Sequence, residues 1–69
     1  MNLEELFNEH GFSQTDIARL LAVSTNTVNR WCRASSKPSM KFRRRISEVL
    51  SVEPRTINQA VKNTWADKS

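Results

Sequence analysis

Thr25, Asn26, Asn29, Arg30 and Arg33 stand one, three or four residues apart in the run TNTVNRWCR. On a helix turning about 100° per residue they share an arc of roughly 140°, with Val28 and Trp31 on the opposite side and Cys32 at the edge of that core face. Those residue types suit base edges. An amide pairs with adenine N6 and N7, a guanidinium with guanine O6 and N7, and a threonine methyl can meet the thymine methyl. Ser, Thr and Asn are poor interior helix formers because their side chains compete for backbone hydrogen bonds. A merely soluble face would more commonly carry Glu and Lys. The segment therefore reads as a helix with a core side and a recognition side.

Charge is concentrated around this segment. Residues 1–16 contain Glu4, Glu5, Glu9 and Asp16 and no Lys or Arg, a balance of −4. Residues 17–47 contain Arg19, Arg30, Arg33, Lys37, Lys41, Arg43, Arg44 and Arg45 and no acid, a balance of +8. Residues 48–69 set three acids against three bases. Such a block is the electrostatic footprint of a partner bearing phosphates. A solvated basic face without a partner is the alternative that charge alone leaves open. No strongly basic helix with a broad apolar face points to a membrane surface.

The elements that must hold this face are short helices. No stretch alternates in the manner of a strand for long, and helical spacing recurs throughout. Asn2 with Glu5 forms a capping box ahead of Leu3, Leu6 and Phe7, and Gly11 ends that helix. Ser13 caps a second helix, with Asp16 at its third position, Phe12 stapled onto Ile17, and Ile17, Leu20 and Leu21 expected on the buried side. Ser24 caps the third, with Val23 stapled onto Val28. Only a tight turn at Ala22 and Val23 separates helices two and three, which is the organisation of a helix-turn-helix over about residues 13–33. That turn predicts a left-handed conformation at Ala22, where glycine would be easier. The run ASSKPS reads as a loop. Ser39 then caps a fourth helix presenting Phe42, Ile46, Val49 and Leu50 on one face, and Pro54 opens a fifth bearing Ile57, Val61 and Trp65.

The expected fold class is thus all-α: one domain over residues 1–69, a compact bundle of four to five short helices with a frayed tail at about 66–69. Sixty-nine residues make a modest core, burying about 60% of the unfolded chain's surface. No apolar run approaches a membrane span, and the acidic start is unlike a targeting peptide, so a cytoplasmic location is expected.

Other chemistries find little footing. Gly11 is the single glycine, so there is no phosphate loop, and the single Cys32 and single His10 make no zinc set. We expect no catalytic residue, metal, cofactor or small-molecule ligand. His10 reads as a helix-terminus residue and Cys32 as a small hydrophobe. A tryptophan in a basic segment can stack on an unpaired base, but Trp31 lies opposite the polar arc and reads as core. Trp65 can either close the core or join a dimer contact.

The stretch FSQTDIARLLAVSTNTVNRWCRASSKPS resembles the Cro/CI-like, XRE-type helix-turn-helix DNA-binding proteins. Gln14 opens the second helix, Ala18 lies in its interior, and VS precedes the reading helix. The short first helix, the KPS loop and Leu50 extend the likeness over most of residues 3–57. The resemblance implies a lambda-repressor-like domain that binds double-stranded DNA. It makes Thr25, Asn26 and Arg30 the principal base readers, with Asn29 secondary. It also implies that Gln14, Thr15, Thr27, Ser36 and Lys37 meet phosphate, a role for which helix N-termini and short polar side chains are suited. Arg33, at the end of the polar arc, and Arg43, in the run of three arginines, are added as phosphate contacts. Ala34 departs from the family, which often has glycine there, and Arg43 stands near a commonly apolar position.

The function expected is a sequence-specific transcriptional regulator, a small phage or mobile-element repressor acting by operator occupancy. The alternative is an accessory factor for recombination, excision or conjugative transfer. A protein-interaction module that lost its readout is disfavoured by the intact polar arc. A homodimer, or two monomers that meet only on DNA, fits the family habit of half-sites about one turn apart.

Overall fold

The computed structural model describes residues 1–67, and all regular structure among them is helical. The elements are α1 (Leu3–Glu9), α2 (Gln14–Leu21), α3 (Thr25–Cys32), α4 (Met40–Leu50) and α5 (Pro54–Ala66). They form a globule of 29 × 25 × 22 Å.

Each of the first four helices starts where a side-chain oxygen can take up an orphan backbone N–H. Asn2 and Glu5 cap α1 reciprocally, each bond 2.9 Å long. Ser13 and Asp16 do the same for α2, at 3.1 and 3.0 Å. Ser24 and Ser39 cap α3 and α4 through Thr27 N and Phe42 N. Helix α5 has no side-chain cap and begins with Pro54, whose missing N–H needs none.

The Asp16 carboxylate titrates below its ordinary value of 3.8, chiefly because it accepts the Ser13 backbone N–H, and secondly the Ser13 side-chain bond. A depressed folded-state value means stability that is present above the unfolded value and lost as pH falls through the folded one. Asp16→Asn should therefore melt below wild type at neutral pH, and the gap should close in acid below 3.8. A gap that is constant across a series of thermal melts at different pH would assign the effect to something other than this carboxylate.

The stops of α1 to α4 share one backbone device. At Gly11, Ala22, Ala34 and Ser51 the chain turns left-handed, with φ of 80°, 58°, 60° and 56°. Each turn is locked by paired reverse hydrogen bonds: Val23 N to Ala18 O and Ala22 N to Arg19 O end α2, and Ser35 N to Arg30 O and Ala34 N to Trp31 O end α3. The left-handed Ala22 expected of the turn is present, and three of the four such positions are not glycine.

The core is formed by Leu3, Leu6, Phe7, Ile17, Ala18, Leu21, Val28, Trp31, Ile46, Leu50, Ile57, Ala60 and Val61. Leu20 corrects the expected buried face of α2, because it is half exposed and Ala18 is buried in its stead. From Ile17, Leu21 and Ala18 lie round the helix in one direction and Leu20 in the other, so a groove that takes the first two leaves Leu20 in solvent. Arg45 fastens the same helix end, donating to Leu21 O at 3.3 Å and Leu20 O at 3.5 Å. A cation there also complements the helix C-terminus.

Helix α5 closes the bundle by polar bonds as well as apolar ones. Thr64 Oγ1 accepts the buried Leu3 N–H at 2.9 Å and donates to Ala60 O at 2.8 Å. Asn63 donates to Met1 O, and Asn2 donates to Asp67. Of the tail expected at 66–69, Ala66 ends α5, Asp67 accepts from Asn2, and residues 68–69 lie outside the described residues.

Candidate nucleic-acid interface

Helix α3 packs on α2 and α1. Val28 and Trp31 anchor its inner side, and the Trp31 ring lies 5.5 Å from Phe42 of α4 in a tilted pair. Such a pair contributes ~0.5 to 1.5 kcal/mol beyond area burial. Cys32 completes that side; burial, with the Glu4 charge adding, pushes its thiol up to about 12. It is therefore a protonated small hydrophobe at neutral pH rather than a nucleophile.

With that side fixed, Thr25, Asn26, Arg30 and Arg33 are exposed together on the other, and Asn29 is half-buried among them. The 140° arc drawn from spacing is thus the solvent side of the helix. Thr27 lies between the two sides, its hydroxyl 2.9 Å from Ser24 Oγ, so the cap engages it.

Asn29 is held by a partner that spacing could not show. Its Nδ2 donates to Gln14 Oε1 at 3.1 Å, joining the first residue of α2 to the outer face of α3. An amide has more donors and acceptors than one bond uses, so both side chains keep capacity facing out. The bond fixes the spacing between the N-terminus of α2, where Thr15 is exposed, and the α3 face.

The loop after α3 brings Ser36, half-buried, and Lys37, exposed, to the same end of the molecule as Arg33. Ser36 N bonds back to Arg30 O at 3.4 Å, and Lys37 Nζ stands 5.0 Å from the Trp65 ring centroid. Arg43 is engaged within the protein: Nε donates to Pro38 O at 2.9 Å and Nη1 to Asn58 Oδ1 at 3.3 Å. Of the three successive arginines, Arg44 alone is exposed, since Arg45 caps α2. The sequence signal for this split is the helical period, which turns Arg43 and Arg45 toward different neighbours on either side of Arg44.

Among the described residues the one ion pair joins Arg55 to Glu53, both on the surface at the start of α5. None of the eight bases in residues 17–47 therefore forms an ion pair, although Arg19 lies near enough to Asp16 to help hold its carboxyl below the ordinary value. Arg19, Arg30, Arg33, Lys37, Lys41 and Arg44 present their charge to solvent. Arg30 and Arg33 bring part of that positive charge onto the α3 face itself.

No described helix is long and apolar enough to cross a membrane. Comparisons with curated proteins and with solved structures give no match. The helix-turn-helix family matches residues 3–57, which span α1 to α4 and the start of α5. Together with two capped helices joined at a left-handed Ala22, this match places the chain in the Cro/CI-like, XRE-type family of helix-turn-helix DNA-binding transcription regulators.

Proposed function

We propose that the chain is a sequence-reading transcriptional repressor of the phage or mobile-element type, which acts by occupying an operator with α3 in the major groove. The observation that carries this reading is the outer α3 face, where Thr25, Asn26, Asn29 and Arg30 stand together within the acid-free basic stretch of residues 17–47. With its side chains the eight-residue α3 is about 10 to 12 Å across, a match to the width of the major groove. Thr25, Asn26 and Arg30 read base edges in this arrangement, and Asn29 does so from its bond to Gln14. Gln14, Thr15, Thr27, Arg33, Ser36 and Lys37 meet the flanking phosphates. Arg43 contributes mainly by holding the loop that carries Lys37. Occupancy of a site beside a promoter excludes polymerase without further chemistry. Two copies on a near-palindromic site, with half-sites about one helical turn apart, present the same face twice.

The test is in vitro selection from random duplexes at about physiological salt, followed by binding of the selected and a scrambled duplex across a salt series. A recovered motif bound ~10³-fold or more above the scramble is expected, and its symmetry reports the number of copies. Lys37→Ala should weaken both duplexes alike and lower the salt slope by about one. Binding without an enriched motif, vanishing as salt rises, would leave α3 without its reading role.

A further inference from the structure

One side chain of α5 meets the loop between α3 and α4 directly, and a second is joined to it through Arg43 of α4. Trp65 faces the Lys37 ammonium at 5.0 Å, and Asn58 receives Arg43, which also holds Pro38 O. Asn58 and Trp65 are seven residues apart, so they lie on one face of α5 two turns from each other. Both fall beyond residues 3–57, the part that matches the family. The core takes Ile57 and Val61 of the same helix and leaves Trp65 37% exposed, so its ring sits at the rim of the core within reach of the loop.

We propose that Trp65 is a positioning residue for the DNA backbone contact, its ring holding the Lys37 ammonium where a duplex phosphate meets it. The proposal rests on the reading of the chain as a duplex binder. A lysine stem has four flexible carbons, and fixing it on a phosphate costs conformational freedom. A ring that already restrains the ammonium reduces that cost before DNA arrives. The indole covers one side of an ammonium that has three donors, so N–H groups remain for the phosphate oxygens. Asn58, through Arg43 and Pro38 O, steadies the loop one residue further on. Because a phosphate carries no sequence, the contribution falls on all duplexes equally.

The experiment is a double-mutant cycle read on the selected and scrambled duplexes. Trp65→Leu should weaken both by roughly two- to fivefold, the size an exposed cation–π contact allows. In the Lys37→Ala background the same change should do nothing further, and Trp65→Phe, which keeps a ring, should retain most of the affinity. A merely structural role would lower the melting temperature and weaken binding whether or not Lys37 is present. The contact is also visible in the DNA-free wild type, where the indole ring current should shift the Lys37 ε-methylene protons upfield, whatever the fate of the Leu variant. Unshifted protons overturn the proposal. So does Trp65→Leu that leaves affinity unchanged, or that acts fully without Lys37, in a protein whose wild type binds DNA. A wild type that binds no duplex overturns both this proposal and the function it rests on.

Discussion

Arg30→Ala is expected to cost ~1 to 3 kcal/mol on the selected duplex, and to leave one base position of the site degenerate. The Arg30 side chain is exposed on α3, and its own carbonyl accepts Ser35 N at 2.8 Å, so the backbone beneath it is pinned by the helix stop. A guanidinium at that place can take guanine O6 and N7 together. Its loss leaves the base edge desolvated without a partner, which penalises the cognate duplex more than the scramble. Arg30→Lys separates the two roles of the side chain: it keeps the charge and the salt slope but lacks the planar fork, so discrimination should fall nearly as far as with alanine. Neither change should alter stability by more than about 0.5 kcal/mol, since the side chain is exposed on the outer face of α3. Equal weakening of selected and scrambled duplexes by Arg30→Ala would make Arg30 a backbone contact and remove it from the base readers.

The contrast between Arg30 and Arg43 shows what the sequence could and could not disclose. Arg30 is assigned its side by neighbours within one turn, since Val28 and Trp31 must be inside. Helix starts are equally local: Asn2, Ser13, Ser24 and Ser39 each bond three residues ahead. Arg43 and Arg45 answer to partners 15 and 24 residues away, on α5 and α2. Leu3 finds Thr64 across 61 residues. Such bonds depend on how helices are stacked, and helical periodicity gives a face without naming what covers it. Leu20 departs from its expected burial for the same reason, because a face wide enough to include it exists in the pattern but not in the packing. Of the stops, Gly11 and Ala22 were legible from residue type or from the short connection, whereas Ala34 and Ser51 turn left-handed without a residue that favours it.

Ala22, Ala34 and Ser51 together should make the largest stability reserve in the chain. Each holds a φ near +60°, where a β-carbon crowds the following carbonyl at a cost of roughly 1 to 2 kcal/mol. Glycine removes that strain but adds freedom to the unfolded chain, an offset of about 0.4 to 1 kcal/mol. The net gain is ~0.5 to 1 kcal/mol per site, smaller at half-buried Ala34, whose methyl has neighbours to lose. The three positions close different helices, so their effects should add. The triple glycine variant should gain about 1.5 to 3 kcal/mol, which at ~4 to 8 °C per kcal/mol raises Tm by roughly 6 to 24 °C. Gly11→Ala supplies the reverse measurement. Its φ is +80° and a β-carbon built there meets nothing within 4 Å, so any loss of Tm reports backbone strain without a clash. Ala22→Gly alone should raise Tm and leave duplex affinity unchanged, because the reverse bonds to Ala18 and Arg19 fix the turn for either residue. A triple variant that melts at or below wild type, alongside a destabilised Gly11→Ala, would show that unfolded-state freedom outweighs strain at these stops. A gain in Tm with a loss of affinity would instead show that the alanine turn holds α3 at its reading angle more rigidly than glycine can.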